Sequence, residues 1–145
     1  MADLLEVSHL SVEFPGRGWR AQPVRAVNDV SFTIQPGETV GLVGESGSGK
    51  TTIGRAILGL IRPTSGRIVF GGINTTGLRG GARRALAKDL QVVFQDPYSS
   101  LNPSLTIGSI LVEPLQVQRA LTKADALTEI RRLLDRVGLP ADAAA

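Results

Sequence analysis

Residues 44–51 read GESGSGKT, a match to G-x-x-x-x-G-K-[ST], and no other feature of the chain restricts its possible folds so tightly. The chemistry behind the pattern is that of holding phosphates. Gly44, Gly47 and Gly49 allow a tight turn whose N–H groups point inward around an anion, with Glu45, Ser46 and Ser48 filling the turn between them. A helix beginning near Lys50 adds the positive end of its dipole. Lys50 is placed to bridge the β- and γ-phosphates of a triphosphate. The Thr51 hydroxyl suits Mg2+, which prefers oxygen, and Thr52 can donate near the α-phosphate. Such a loop needs a buried strand before it and a helix after it. Residues 39–43 (TVGLV) are a continuous apolar run, as in a strand of a parallel sheet covered on both faces. Residues 51–62 place Ile53, Ile57, Leu60 and Ile61 at helical spacing, with Pro63 as the stop. The dinucleotide fingerprint G-x-G-x-x-G fails, because Thr52 stands where its third glycine belongs.

The remaining pattern frames that loop. Residues 4–14 alternate apolar and polar with one slip near His9 and Leu10, which predicts a bulged strand. Val30, Phe32 and Ile34 alternate with Ser31 and Thr33, so an antiparallel pair is expected at the front of the chain, ended by Pro36-Gly37. A short strand over residues 67–70 lies between Gly66 and Gly71-Gly72, and residues 74–89 read as a loop and a short helix. Residues 90–94 (LQVVF) predict another strand, and residues 95–103 are non-helical. Helical, apolar character returns over residues 107–117, around Pro114. Thr122 and Asp125 resemble a capping box. Behind them Leu127, Ile130, Leu133, Leu134 and Val137 form one helix face, closed by Gly138 and Pro140 and expected to pack within a helical subdomain.

Composition removes several function classes. With 145 residues, 42% hydrophobic and 20% charged, the chain is of ordinary globular composition and about one domain in size. It has no apolar run long enough to span a membrane, and its first residues carry an acid and no basic, apolar leader. There is no cysteine, hence no disulfide scaffold, thiolate metal site or cysteine nucleophile. A net charge of +3 and only six aromatic residues give no stacking platform for single-stranded nucleic acid, and no direct nucleic-acid partner is expected. Arg79, Arg83, Arg84 and Lys88 read as a solvated helix face, the sharper alternative being a surface near anionic lipid or a membrane partner. His9, the single histidine, reads as a structural strand residue.

A second motif narrows the class of phosphate-loop protein. Residues 92–103 read VVFQDPYSSLNP, with Gln95 at an expected strand end. Its amide could ligate Mg2+ or orient a water near the γ-phosphate, or simply cap a strand in a surface turn. Taken together, VGESGSGKTT, TSGRIVF and VFQDPYSSLNP resemble the ATP-binding subunit of an ABC importer, nearest to the oligopeptide, dipeptide and nickel uptake group. The stretch QDPYSSLNP followed by TIGSILVEPL is more like the second of that group's two ATPase subunits. The resemblance runs through essentially the whole chain.

The resemblance implies an α/β P-loop fold of the ABC ATPase type, with an antiparallel β subdomain and the start of a helical subdomain. Its parts would be a mainly β front piece over residues 1–38, the P-loop core over 39–95, and the Q-loop with the first helices over 96–145. It implies ATP and Mg2+ as cofactors, the nucleotide on Gly44 to Thr52, and the metal on Thr51 and Gln95. Phe14, at the end of the first strand, would stack on adenine, with Trp19 in reserve. Asp96, Pro97, Tyr98, Ser99, Leu101, Asn102 and Pro103 would face a membrane permease. The implied partners are the permease, a second ATPase subunit in a homo- or heterodimer and, indirectly, an external solute-binding protein, at the cytoplasmic face of the inner membrane. The family's signature loop, its Walker B carboxylates and its switch histidine have no counterpart in these 145 residues, so an amino-terminal part of a longer ATPase, without hydrolysis of its own, is expected. Two other readings are a soluble ABC-type ATPase acting on nucleic acid or ribosomes, and a non-hydrolysing nucleotide-binding fragment.

Overall fold

The computed structural model describes residues 3–16, 18, 22–96, 101–140 and 143. It divides into two compact units, residues 1–92 and residues 93–145.

The first unit is built on a four-stranded antiparallel sheet. Its strands are β1 (Leu5–Phe14), β2 (Val24–Ile34), β3 (Ser65–Phe70) and β4 (Ile73–Asn74), in the order β2-β1-β3-β4. The slip expected in the first strand is present. Leu5, Val7, Leu10 and Val12 are all buried, although the spacing jumps by three between Val7 and Leu10. Period-two alternation would put Leu10 on the opposite face from Val7. An extra residue restores the face, and His9 takes it up at φ +51°. Both neighbours of β1 register it: Val7 pairs with Phe32 and Leu10 with Val30, while Ser8 pairs with Arg67 and Ser11 with Ser65. Gly66 lies against the bulge at φ +92°, where a Cβ would run into the His9 carbonyl. The His9 side chain is exposed, with its Nδ1 2.8 Å from Asp29 Oδ1, so the expectation of a structural strand residue holds.

One helix covers this sheet. α1 (Lys50–Ile57) buries Ile53 and Ala56 against Leu5, Val7, Leu10, Val12, Val27 and Ile68, and Ile57 and Ile61 pack at the margin. Full burial of a side chain such as Leu10 contributes roughly 1.5–3 kcal/mol. The helix is shorter than the apolar spacing predicts. Gly59 adopts φ +65° and closes a Schellman end, in which Gly59 N–H donates to Ala56 O at 2.9 Å and Leu60 N–H to Arg55 O at 2.8 Å. Leu60, expected on the buried face, is therefore exposed. α2 (Gly80–Leu86) is the short helix expected after β4.

Two expected strands are not formed. Residues 39–43 and 90–94 have no strand geometry and no partner among the described strands. Val43 is 94% and Val93 98% exposed. A run suited to burial on both faces forms a strand only when other strands lie beside it, and none of the four does. Val40 and Leu42 instead border a hollow of about 400 Å3 that Phe32, Ile34 and Ile57 also line.

The second unit is a helical hairpin, α3 (Ile107–Arg119) and α4 (Lys123–Arg136). Val112 of α3 is buried with Ala126, Ile130 and Leu134 of α4. Both helices start on a threonine cap: Thr106 Oγ1 accepts from Ser109 N–H, and Thr122 Oγ1 accepts from Asp125 N–H, each at 3.2 Å. In the variant capping box the Asp125 carboxylate accepts from the Thr122 hydroxyl at 2.6 Å. Gly138 closes α4 as expected, at φ +75°, with Leu139 N–H donating to Leu134 O. Val137, expected on the buried face, lies beyond the last turn and is exposed. A bidentate hydrogen bond from Arg132 holds the Glu129 carboxyl below the usual range, with Arg119 of α3 at 3.7 Å on the same group. Among the described residues, no helix is long and apolar enough to cross a membrane.

Candidate functional site

The glycine loop lies between residue 43 and α1. Its order comes from two glycines with positive φ, Gly47 at +82° and Gly49 at +92°. Gly49 is the sharper requirement. It is the N-cap of α1, and a Cβ there would drive into the carbonyl oxygen of Ala26 in β2. Only glycine lets the helix start that close to the sheet. The turn is closed by Ser48 N–H donating to Glu45 O at 3.2 Å. A Cβ at Gly44 would press on the Ser48 hydroxyl, 2.7 Å away.

Lys50 is the centre of the site. Its ammonium donates to Gly44 O at 2.7 Å, Glu45 O at 2.6 Å and Ser48 Oγ at 3.2 Å. A lysine has three donors, and here all three point into the loop. The positive charge is thus held over the loop by the loop's own oxygens.

The first turn of α1 completes the arrangement. Its leading N–H groups have no partner within the helix. Gly49 supplies no side-chain cap, and the first turn contains no acidic residue. Most helix starts use a Ser, Thr, Asp or Asn oxygen at this point, as α3 and α4 do. At α1 the donors stay available, next to a fixed ammonium and the hydroxyls of Thr51 and Thr52. Donor groups, positive charge and hydroxyls, with no acidic residue in the first turn of α1, make a fitting receptor for a phosphate chain.

The other expected site residues are distributed as follows. Phe14 ends β1 opposite Val24 and is partly exposed, at 38%. Trp19 lies outside the described residues. Gln95 is not at a strand end: it occupies a bend after an irregular, exposed stretch and belongs to the second unit. Of the expected permease-facing residues, Asp96, Leu101, Asn102 and Pro103 are exposed, while Pro97, Tyr98 and Ser99 lie outside the described residues. Asn102 shapes its loop, its Oδ1 accepting from Ser104 N–H at 3.0 Å. Among the described residues, no three His, Cys, Asp or Glu side chains gather as a metal cluster.

Sequence reasoning missed the pairing of Gly59 with Arg83. The Arg83 guanidinium lies over the end of α1 and donates to Ile57 O at 3.2 Å, in space that a Cβ at Gly59 would fill. A glycine inside an apolar helical run was the available signal.

Comparison with known proteins agrees with this geometry. The family model described as ABC transporter matches residues 27–144. The chain belongs to the ABC transporter family. A putative peptide import ATP-binding protein of Brucella ovis is 49% identical over 123 residues, which cover 85% of this chain and 39% of that protein. The glutathione import ATP-binding protein GsiA of Escherichia coli K12 is 46% identical over 140 residues, 94% of this chain and 22% of that protein. The chain thus spans well under half the length of these ABC transporter relatives. Among solved structures, the dimeric bacterial ABC transporter cassette MJ0796 superposes with a TM-score of 0.71 at 23% identity, covering 90% of this chain and 57% of that one. CbiO1 of Clostridium perfringens, part of the ABC transporter complex cbiONQ, gives a TM-score of 0.68 at 24% identity, covering 96% and 52%. The fold is therefore that of an ABC ATPase cassette, with the antiparallel sheet and the helices as its recognisable parts.

Proposed function

We propose that this chain binds ATP with Mg2+ as the energy-coupling part of an ABC importer for peptides or a similar solute. The observation that carries the proposal is the Lys50 ammonium fixed over the glycine loop, beside a helix start that no side chain caps. The names of the relatives supply the transport context: one is a peptide and one a glutathione import ATP-binding protein. They do not favour a soluble ATPase acting on nucleic acid or ribosomes.

In this reading Gly44 to Thr52 hold the triphosphate. The loop N–H groups and the start of α1 bind its oxygens, and Lys50 exchanges loop carbonyls for the β- and γ-phosphates. Thr51 presents its hydroxyl to the metal, and Gln95 serves as the second metal-side group. Phe14, or Trp19, stacks on adenine. Residues 96–103 face the permease, and a second ATPase subunit completes the site. The protein would act at the cytoplasmic face of the membrane, without crossing it. Nucleotide hydrolysis also needs carboxylates that position water and metal, so these 145 residues alone should bind without turnover.

Titration with a non-hydrolysable ATP analogue in Mg2+ tests the assignment. Saturable binding is expected, weakened at least tenfold by Lys50→Ala, since a hydrogen bond to a charged group is worth roughly 1.5–3 kcal/mol. Equal binding by the two proteins, both folded, would remove the assignment.

A further inference from the structure

α1 meets unlike neighbours at its two ends. Its first turn carries the glycine loop, and its last turn meets Arg83 of α2. The helix has only eight residues, a rod of about 12 Å. A helix this short is marginal by itself in water, and it forms cooperatively. Fixing the turn at one end therefore favours the turn at the other.

The ends are served differently. At the start, Gly49 brings no side-chain cap and the first turn has no acidic residue. At the finish, the last carbonyls are covered from two directions. Gly59 N–H and Leu60 N–H donate to Ala56 O and Arg55 O from within the chain. Arg83 reaches back across 26 residues, and its Nη2 donates to Ile57 O at 3.2 Å in a partly buried bond. Its guanidinium fills the space that a Cβ on Gly59 would need. Glycine is thus required there twice, by its φ of +65° and by the arginine. Arg25, Arg67 and Arg132 pair with glutamates, whereas Arg83 forms no ion pair among the described residues. Its charge faces the carbonyl end of α1, where the helix dipole favours a cation as it favours an anion at the other end.

We propose that Arg83 is a positioning residue for nucleotide binding: it fixes the last turn of α1, which holds the first turn ready for phosphate. The inference rests on the ATP site proposed above and adds a residue that the glycine-loop motif does not contain. Arg83 stands at the opposite end of α1 from that loop, so its influence on the nucleotide runs through the helix. Linkage makes the effect reciprocal. The factor by which the Arg83 contact strengthens nucleotide binding is the factor by which the nucleotide strengthens that contact.

The test uses the full chain, a non-hydrolysable ATP analogue with Mg2+, and hydrogen exchange read by mass spectrometry over residues 50–62 and 78–90. In the unaltered chain the analogue should slow exchange in both segments. In Arg83→Gln the slowing over residues 78–90 should vanish, and the analogue should bind at least about fivefold more weakly. Arg83→Lys keeps a charge and a donor and should recover part of both effects. Gly59→Ala displaces the guanidinium without altering Arg83 and should reproduce Arg83→Gln. Circular dichroism checks that each variant keeps its fold. A contact that only supports the fold would let exchange rise equally with and without analogue and leave affinity unchanged. That result, or slowing over residues 78–90 that survives Arg83→Gln, overturns the proposal. An unaltered, folded chain that binds no analogue would overturn the ATP site and this inference with it, and is told apart by the absence of slowing over residues 50–62 as well.

Discussion

β1 and the run at residues 39–43 are both rich in aliphatic residues, yet one is the buried axis of a sheet and the other is exposed and irregular. The difference lies in where their partners are. β1 alternates, so one face suffices for burial, and β2 and β3 flank it within the same unit. The run at 39–43 has apolar groups for both faces and no alternation. It can be satisfied only by strands on either side and layers above and below. Hydrophobicity sets the demand for burial; pairing decides whether that demand is met.

The comparison can be broken most directly at Leu10, which is fully buried where the bulge returns β1 to its face. Leu10→Ala should destabilise the first unit by about 2–5 kcal/mol, read as a drop in the urea midpoint. A loss below 1 kcal/mol would mean that the sheet is not the stable half of the contrast. Gly49→Ala probes the join between sheet and loop. Its Cβ would collide with Ala26 O at a φ favourable only to glycine, so about 1–3 kcal/mol of stability should be lost, with nucleotide-analogue binding weakened at least tenfold. Unchanged binding would show that the loop tolerates a different approach to β2. The smallest effect belongs to Val43→Thr, which should change stability by no more than about 0.5 kcal/mol, because the side chain is already in water. A cost of several kcal/mol would place Val43 inside a paired sheet.

The same division explains what could be seen in the sequence. Features written over a few residues were legible: the slip at His9, the capping box at Thr122 and Asp125, the Gly138 stop and the phosphate loop itself. Each is decided by local sterics or by one hydrogen bond. The end of α1 was equally local but was overridden. Gly59 closes that helix with the same motif as Gly138, but Leu60 and Ile61 continue the apolar spacing and hide it. The strands expected at residues 39–43 and 90–94 are not formed for a different reason: an apolar run states a demand for burial, but composition does not say whether a strand stands beside it. Of the candidate site, the spacing of Gly44 to Thr52 predicts a glycine turn leading into a helix, and Gly47, Gly49 and the start of α1 at Lys50 have that form. The Arg83 contact with Ile57 O joins residues 26 apart, and Gly59 within the apolar run marks only one side of it.

The fit of Gly49 against Ala26 has a mechanical meaning. Backbone meets backbone there with no room for even a methyl group. A movement of the loop toward β2 would therefore press on the Ala26 carbonyl directly, with no side chain between to yield.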